Sequence, residues 1–318
     1  MKTIPHTAVF ALLAVLSLWI GLAGPAHLAR ADEPATKTGK FVEVRTTARE
    51  HPNVVLIMTD DQGYGDLHCH GNDKIDTPTL DRLAQASTRF DRFFVSPLCS
   101  FTRASLMTGR YYLRTGCASV TRGIETVRSD ETTIAEVLKA AGYTTGCFGK
   151  WHIGEHYPNH PRGQGFDTFF GMPQGHWDDY FDPVLERDGH MVATRGYITD
   201  VLTDAAIEFI RTHRRESFFC YIPYNAPHTP MQVPDRYFDK YKARGFDNRT
   251  AAIYGMVENI DENVRRILAA LEELGLSDDT IVIFLSDNGA EGPEGSRYNA
   301  GMRGMKGSVH EGGMRVPC

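Results

Sequence analysis

Residues 53–59 read NVVLIMT, a mostly apolar run that is β-branched near its start, and DDQGYGD follows at 60–66. A continuous apolar run of this length is typical of a strand that is buried on both faces of a parallel sheet. Open parallel sheets bind ligands beyond the carboxyl ends of their strands, so Asp60 and Asp61 stand where a site is expected. Asp and Gly are also common in turns, and an ordinary turn is the alternative interpretation.

Apolar runs of this kind alternate with amphipathic segments along the rest of the chain. Further strands are predicted at 89–95, 143–149, 217–224 and 280–286, a long loop at 158–183, and helices at 77–84, 132–141, 198–213 and 249–274. Thr77 and Pro78 predict a capped start for the first helix. In the last helix, Asp261 is expected to be a solvated or capping group rather than a ligand. This alternation predicts an α/β fold with a mostly parallel central sheet sandwiched by helices.

Polar side chains that folding does not require follow three of these strands. Lys150 and His152 follow 143–149, His228 follows 217–224, and Asp287 and Asn288 follow 280–286. Because the carboxyl ends of parallel strands meet at one edge of a sheet, we expect these groups to converge there. The residues with oxygen ligands suit a hard cation such as Ca²⁺ rather than zinc. They are Asp60, Asp61, Asp287 and Asn288.

Residues 96–110 read SPLCSFTRASLMTGR, which predicts a loop that runs into a short helix ending at Gly109. Cys99 then lies at or just before a helix N-terminus, where free N–H groups and the helix dipole favour negative charge. Arg103 lies about one turn further on and is able to point back to the same spot. Cys99 is therefore a candidate nucleophile, and a buried structural cysteine is the alternative interpretation.

Length and composition limit the possibilities further. A chain of 318 residues has ample core for one large α/β domain or two small ones. The net charge of −6 and the scattered Lys and Arg residues do not form a nucleic-acid footprint. Six cysteines show no dense disulfide framework, and their pairing stays open. They are Cys69, Cys99, Cys117, Cys147, Cys220 and Cys318.

Residues 1–31 have the features of a secretory signal peptide. Lys2 precedes an apolar run at 8–24, and Ala29-Arg30-Ala31 matches a small-x-small cleavage site. The apolar run is slightly longer than usual, so an uncleaved N-terminal anchor is the alternative. Residues 32–51 are predicted to be a flexible leader. The mature protein is thus expected to be exported, periplasmic or extracellular, without a stable membrane span.

The pattern Cys99-x-x-x-Arg103, followed by Leu106-x-Thr108-Gly109-Arg110, resembles the signature of the type I sulfatases in the alkaline phosphatase-like superfamily. Other stretches resemble further segments of the same family, namely 142–152, a short strand at 165–171, the Pro-His segment at 226–230 and the glycine-rich 304–317. The likeness runs from about Pro52 to the end of the chain. One position departs from the pattern, since Phe101 stands where the family usually has Pro, sometimes Ala or Ser.

The resemblance implies an alkaline phosphatase-like catalytic domain at 52–318. Family members usually continue with one more core segment and a smaller C-terminal domain, so the domain is expected to be incomplete, with that smaller domain missing. The implied activity is hydrolysis of an aryl or carbohydrate sulfate ester. The implied partners are the sulfated small molecule or glycan and an enzyme that converts Cys99 to formylglycine, whose hydrated aldehyde is the nucleophile.

The resemblance also implies roles for the polar residues. Calcium is held by Asp60, Asp61, Asp287 and Asn288 together with the modified Cys99. The other catalytic residues are Arg103, Lys150, His152, His228 and Lys306. His152 is the expected base near the nucleophile, and His228 or Lys306 is the expected general acid.

Two other functions stay open. The combined positive charge of three cationic side chains and a divalent metal exceeds the negative charge of three carboxylates. This balance suits any anionic ester. A phosphate or phosphonate ester hydrolase of the same superfamily is therefore the first alternative. A non-catalytic relative that binds sulfated glycans is the second, and Phe101 and the absent C-terminal part are the features that favour it.

Overall fold

The computed structural model describes residues 51–292 and 297–318. The predicted signal peptide at 1–31 lies outside these residues, as does the leader at 32–51 apart from its last residue. Within the described ranges, no helix has both the length and the apolar character needed to cross a membrane.

A seven-stranded sheet forms the centre of the described part of the chain. Its strands are β1 (Asn53–Thr59), β2 (Thr144–Lys150), β3 (Thr168–Met172), β4 (Val184–Arg187), β5 (His190–Ala193), β6 (Phe218–Pro223) and β7 (Thr280–Ser286). Their spatial order is β5-β4-β3-β2-β6-β1-β7. The strands from β3 to β7 in this order are parallel, and β4 and β5 continue the sheet antiparallel. The predicted mostly parallel sheet is confirmed.

Helices cover both faces of this sheet, as predicted. The α-helices are α1 (Pro78–Ala86), α2 (Cys99–Thr108), α3 (Ile134–Ala140), α4 (Ile198–Thr212), α5 (Asp235–Ala243), α6 (Asn248–Glu273) and α7 (Glu311–Met314). Single turns of 3₁₀ helix lie at Tyr64–Asp66, His68–His70, Tyr112–Thr115, Pro161–Gly163 and Ser277–Asp279. One hydrophobic cluster joins α1, α4, α5 and α6 to the sheet, and a second joins α2 and α3 to its other face.

Strand β1 shows how the sequence produces these layers. Val55 and Ile57 lie in the first cluster, whereas Leu56 and Met58 lie in the second. Successive side chains of a strand point to opposite faces, so a strand covered on both faces needs apolar residues at every position. The continuous apolar run at 53–59 is therefore the sequence of a fully buried central strand.

The prediction of a strand at 89–95 was wrong. Phe94 makes an isolated bridge with Arg315, and the segment otherwise stays outside the sheet. Arg89 pairs with Asp91 at 2.8 Å on the exposed surface. A central strand of a parallel sheet is buried on both faces and cannot take such charges without a large desolvation penalty. Cys99 consequently reaches the sheet edge on helix α2 rather than at the end of a strand.

The structure also adds detail to the predicted loop at 158–183 and to the cysteines, whose pairing the sequence left open. The segment at 158–183 contains β3, as the resemblance implied, and the hairpin of β4 and β5 that follows it was not predicted. Each of those two strands has only four residues, and most of their side chains are not buried. The six cysteines, all within the described ranges, carry free thiols.

The start of α1 is capped from a distance. The side chain of Thr77 makes no cap hydrogen bond. The carboxylate of Asp261 on α6 instead accepts hydrogen bonds from the backbone N–H groups of Thr79 at 3.1 Å and Leu80 at 2.7 Å. Asp261 is thus a buried capping group, one of the two roles expected from the sequence.

Candidate active site

The polar residues predicted to converge do meet at one edge of the sheet. β1, β2, β6 and β7 are mutually parallel, so their carboxyl ends lie side by side. Backbone hydrogen bonds hold this edge together, from Asp60 to Ala226 at 3.1 Å and from Asp287 to Thr59 at 3.0 Å. Parallel pairing therefore assembles the site from residues that lie far apart in the chain.

The centre of the site is a group of buried oxygen atoms. The amide of Asn288 donates to Asp61 Oδ1 at 2.7 Å, and the backbone N–H of Asp61 donates to Asp287 Oδ1 at 3.2 Å. Asp61 has a left-handed backbone conformation with φ of 63°, which Asp tolerates better than most residues. This turn lets two adjacent carboxylates, Asp60 and Asp61, reach different partners.

Two buried cations neutralise the inner carboxylates. Arg103 donates to Asp287 Oδ2 through Nε at 3.0 Å and Nη2 at 2.8 Å, and to the backbone oxygen of Lys150 at 2.7 Å. Lys150 Nζ in turn forms an ion pair with Asp60. All four side chains are at most 1% exposed. Removing either partner of such a pair would leave a buried, uncompensated charge.

Asp60 and Asp287 respond to this environment in opposite directions. Burial raises the pKa of Asp60, but the charges of Lys150, His228 and Arg103 lower it more, so the pKa lies well below its ordinary value. Burial and the negative charge of Asp60 raise the pKa of Asp287 to about 7, although Arg103 opposes the rise. Asp60 is therefore the more strongly ionised of the two carboxyl groups, whereas Asp287 holds a proton more readily.

A second pair of basic residues lies on the outer side of Asp61. Lys306 Nζ donates to Asp61 Oδ2 at 2.7 Å, and His228 Nε2 lies 3.7 Å from the same oxygen. His228 Nδ1 donates to the carbonyl of Thr229 at 2.7 Å, which leaves Nε2 to face the site. Both side chains are partly exposed, 17% for Lys306 and 13% for His228. They are positioned to meet an anion that enters from solvent.

Cys99 is the first residue of α2. It is buried, and its Sγ lies within 4.8 Å of a carboxylate oxygen of Asp60 and of Asp287. Burial, with a smaller contribution from the two carboxylates, raises the pKa of the Cys99 thiol to about 11. The unmodified thiol is therefore protonated at neutral pH and is a weak nucleophile.

The donor set fits a hard cation. Asp60 Oδ1 and Asn288 Oδ1 are buried and have no hydrogen-bond partner among the residues that the structure describes, although buried polar atoms in native proteins are almost always paired. Ligand atoms of Asp60, Asp61 and His228 also lie within 4.8 Å of one another. Several carboxylate and amide oxygens around two unpaired acceptors match the ligand chemistry of Ca²⁺.

His152 lies two residues beyond the end of β2 and is held neutral. Its φ of 65° is left-handed. Its Nε2 lies 2.9 Å from the carbonyl oxygen of Val120, which can only accept, so Nε2 carries the proton. The other nitrogen, Nδ1, is buried, and no group within 51–292 or 297–318 forms a hydrogen bond with it. Burial, with Lys150 adding to the effect, lowers the pKa of His152 well below its usual value. A neutral imidazole with a free lone pair is the form that a general base needs.

The sequence did not single out two supporting features. Arg297 is buried, donates to Asp66 Oδ1 at 3.0 Å and binds the backbone oxygen of Asp61 at 3.0 Å, which fixes the turn after β1. Gly175 lies against His152, since a β-carbon there would stand 2.1 Å from Nε2. Asp66, at the end of 60–66, was the sequence feature that could have indicated a cationic partner such as Arg297. No local sequence pattern indicates the role of Gly175.

A mostly parallel α/β sheet whose carboxyl edge gathers buried carboxylates flanked by cationic side chains has the chemistry to bind a metal ion and an anionic group. A family model described as Sulfatase matches residues 52–318, and the chain belongs to the sulfatase family. The predicted fold class is confirmed by solved structures, among them that of the PsFucS1 sulfatase from Pseudoalteromonas sp., with a TM-score of 0.71. The crystal structure of Ps i-CgsB in complex with k-i-k-neocarrahexaose superimposes with a TM-score of 0.78 at 33% identity, covering 84% of this chain and 65% of that one.

Curated relatives give the same family. N-acetylgalactosamine-6-sulfatase of Rattus norvegicus is 36% identical over 305 residues, which covers 85% of this chain and 57% of the relative. Arylsulfatase J of Mus musculus is 33% identical over 292 residues, covering 86% of this chain and 48% of the relative. The chain thus spans about half the length of these relatives. A phosphonate monoester hydrolase of Agrobacterium radiobacter, at 22% identity and a TM-score of 0.59, shares the fold.

Proposed function

We propose that the protein hydrolyses a sulfate ester of a carbohydrate. The observation that carries this proposal is the position of Cys99, the first residue of α2, beside the carboxylates of Asp60 and Asp287. Lys306 and His228 flank the same carboxylate cluster on its solvent side. A tetrahedral anion bound there would contact both basic groups and the residue at position 99.

Two groups complete the chemistry. Asp60, Asp61, Asp287 and Asn288 would hold Ca²⁺, which supplies positive charge for binding and polarising the sulfate. We propose that a maturation enzyme converts Cys99 to formylglycine, whose hydrate supplies a hydroxyl nucleophile that a thiol at this pKa does not. Phe101, two residues further on, is buried and stacks on Tyr112 with ring centroids 4.0 Å apart, so it also serves the packing of α2.

The other residues bind the anion and handle its protons. Burial lowers the pKa of Lys306 less than Asp61 and Asp60 raise it, so Lys306 stays charged and binds the sulfate oxygens. His228 presents Nε2 to the same region and is our choice for the acid that protonates the leaving alcohol. His152 accepts a proton at its free Nδ1. Arg103 is occupied by Asp287 and by the Lys150 carbonyl, so it orders the site.

The proposal of a sugar substrate is supported by the relatives. The name of the rat relative specifies a 6-sulfated N-acetylgalactosamine, and Ps i-CgsB was crystallised with a neocarrahexaose. We also propose that the protein is exported, on the basis of the signal-like residues 1–31. N-terminal sequencing of the mature protein from its native host tests the export, and a start near residue 32 is expected.

The test of the function uses the full chain from its native host. Turnover of N-acetylgalactosamine 6-sulfate, 4-nitrophenyl sulfate and 4-nitrophenyl phosphate is measured alongside the mass of the peptide that carries position 99. We expect sulfate release, formylglycine at position 99, and loss of nearly all turnover in Cys99→Ala. Cys318→Ser, a control thiol outside the site, should keep the activity.

Several results would contradict the proposal. Full turnover by Cys99→Ala would exclude a nucleophile at position 99. Hydrolysis of the phosphate ester without the sulfate esters would support the phosphate hydrolase alternative. Binding of the sulfated sugar without turnover, with an unmodified cysteine, would support the non-catalytic alternative.

A further inference from the structure

The loop after β3, residues 173–179, contacts both histidines of the site, His152 and His228. β3 pairs with β2, and the backbone N–H of His152 donates to the Pro173 carbonyl at 3.0 Å, so the loop begins beside His152. Gly175 then packs so closely on the imidazole of His152 that a β-carbon would stand 2.1 Å from Nε2. These contacts fix the path of the loop where it passes His152.

The next residue, His176, reaches the second histidine. Its ring meets that of His228 edge to face, with centroids 5.6 Å apart. The loop is fixed here as well, because the hydroxyl of Tyr180 lies 3.0 Å from the carbonyl oxygen of His228. The amide of Gln232 also donates to the backbone oxygen of Asp178 at 3.1 Å. His176 is thus held at the rim of the anion site.

The side chain of His176 forms a hydrogen bond with Asp178, whose own side chain is 89% exposed. Its Nε2 lies 2.9 Å from Asp178 Oδ1, a carboxylate oxygen that can only accept, so Nε2 carries the proton. In the neutral imidazole this leaves Nδ1 as an acceptor. The side chain is 49% exposed, whereas Asp60, Lys150 and Arg103 are at most 1% exposed.

An ester whose anionic end occupies the buried site must extend its alcohol part past this rim. A sugar offers hydroxyl and amide groups to this imidazole, whereas a plain aryl ring offers none. We propose that His176, paired with Asp178, is a specificity-determining residue that hydrogen-bonds the sugar part of the substrate next to the scissile sulfate. This inference rests on the proposed function and assigns the substrate-recognising group of the same site.

The experiment compares His176→Ala with the full wild-type chain on two esters, N-acetylgalactosamine 6-sulfate and 4-nitrophenyl sulfate. Losing one hydrogen bond should lower kcat/KM for the sugar about tenfold, mainly through KM. Turnover of the aryl ester should stay within about twofold, since the aryl leaving group makes no such bond. Asp178→Asn should give a smaller loss on the sugar, and His190→Ala, an exposed histidine on β5, should give none.

Equal losses on both esters, or no loss on the sugar, would overturn the inference. If the wild-type chain hydrolyses neither ester, the proposed function fails and calorimetric binding of N-acetylgalactosamine 6-sulfate decides the inference separately. Binding about tenfold weaker in His176→Ala than in the wild type would support it. Equal binding by the two proteins, or no binding by the wild type, would reject it.

Discussion

The role of several single residues in this protein depends on the direction of their side chains. Asp60 and Asp61 are adjacent in the sequence, yet the left-handed conformation of Asp61 sends their carboxylates to different cations, Lys150 and Lys306. His152 has the same kind of backbone conformation and turns its ring against the carbonyl of Val120. The chemistry of each side chain thus depends on a backbone turn that fixes where its polar atoms lie.

A substitution at Gly175 tests how far the chemistry of His152 depends on the position of its ring. In Gly175→Ala the new β-carbon would collide with the imidazole of His152, so that either the ring or the loop must move. We expect kcat/KM to fall at least about tenfold on aryl and sugar sulfates alike, because a misplaced catalytic group costs this much or more. Steady-state kinetics on both esters provide the measurement.

Gly189→Ala is the matched control for that variant. Its β-carbon would meet no heavy atom within 4 Å, although its φ of 94° makes alanine strained there. It should lose some stability and keep its kcat/KM. Unchanged kinetics in Gly175→Ala would show that the contact with His152 has no catalytic consequence.

At the scale of the elements, helix α6 organises the layer on one face of the sheet. Its apolar stripe includes Ile253, Val257, Ile260 and Val264, all buried at helical spacing. The same helix supplies Asp261, whose carboxylate caps α1. α6 therefore fixes the start of α1 as well as packing against its neighbours.

Replacing the cap should destabilise the fold. Asp261→Ala leaves two backbone N–H groups at the buried start of α1 without an acceptor, and a loss of about 2 kcal/mol in the free energy of unfolding is expected. Denaturant unfolding followed by circular dichroism measures it. Glu272→Ala, an exposed residue of the same helix, should change stability by less than about 0.5 kcal/mol. Equal stabilities of the two variants would exclude the capping role.

On the scale of the whole molecule, the fold gathers carboxylates from distant parts of the chain at one edge of the sheet. Three carboxylates meet there because β1 and β7 are neighbours, and the pKa of Asp287 is raised to about 7 by burial and by Asp60. A cation that binds only this assembled site stabilises the folded state by mass action. The stability of the protein should therefore depend on the proposed Ca²⁺.

Removing divalent ions tests that dependence. Thermal unfolding is measured with a chelator and again after addition of excess Ca²⁺, where free Ca²⁺ at about a hundredfold above Kd would add about 2.7 kcal/mol. We expect a higher midpoint with Ca²⁺ and a smaller response in Asp287→Asn, which loses one charged ligand. A midpoint that does not respond to chelator or Ca²⁺ would argue against a calcium site here.

Much of the architecture could be predicted from local patterns. The apolar runs at 53–59 and 280–286 and the stripe of α6 reflect burial on one or both faces, which depends on the residues themselves. The prediction of a strand at 89–95 was wrong because its aromatic residues favour a strand, whereas the charged side chains of Arg89 and Asp91 are stable only in contact with solvent. The hairpin of β4 and β5 was missed because short, partly exposed strands carry little apolar signal.

By itself, the sequence determined the mostly parallel α/β fold and the polar residues at the strand ends. Hydrophobic periodicity and the turn-forming residues that end each element are local properties of the chain. Only the tertiary structure decided which of these groups touch. It paired Lys150 with Asp60 and Lys306 with Asp61, buried Asp261 as a cap, and brought Gly175 and His176 to the two histidines. Such contacts join residues far apart in the chain, so they depend on strand order and loop path rather than on any short stretch of sequence.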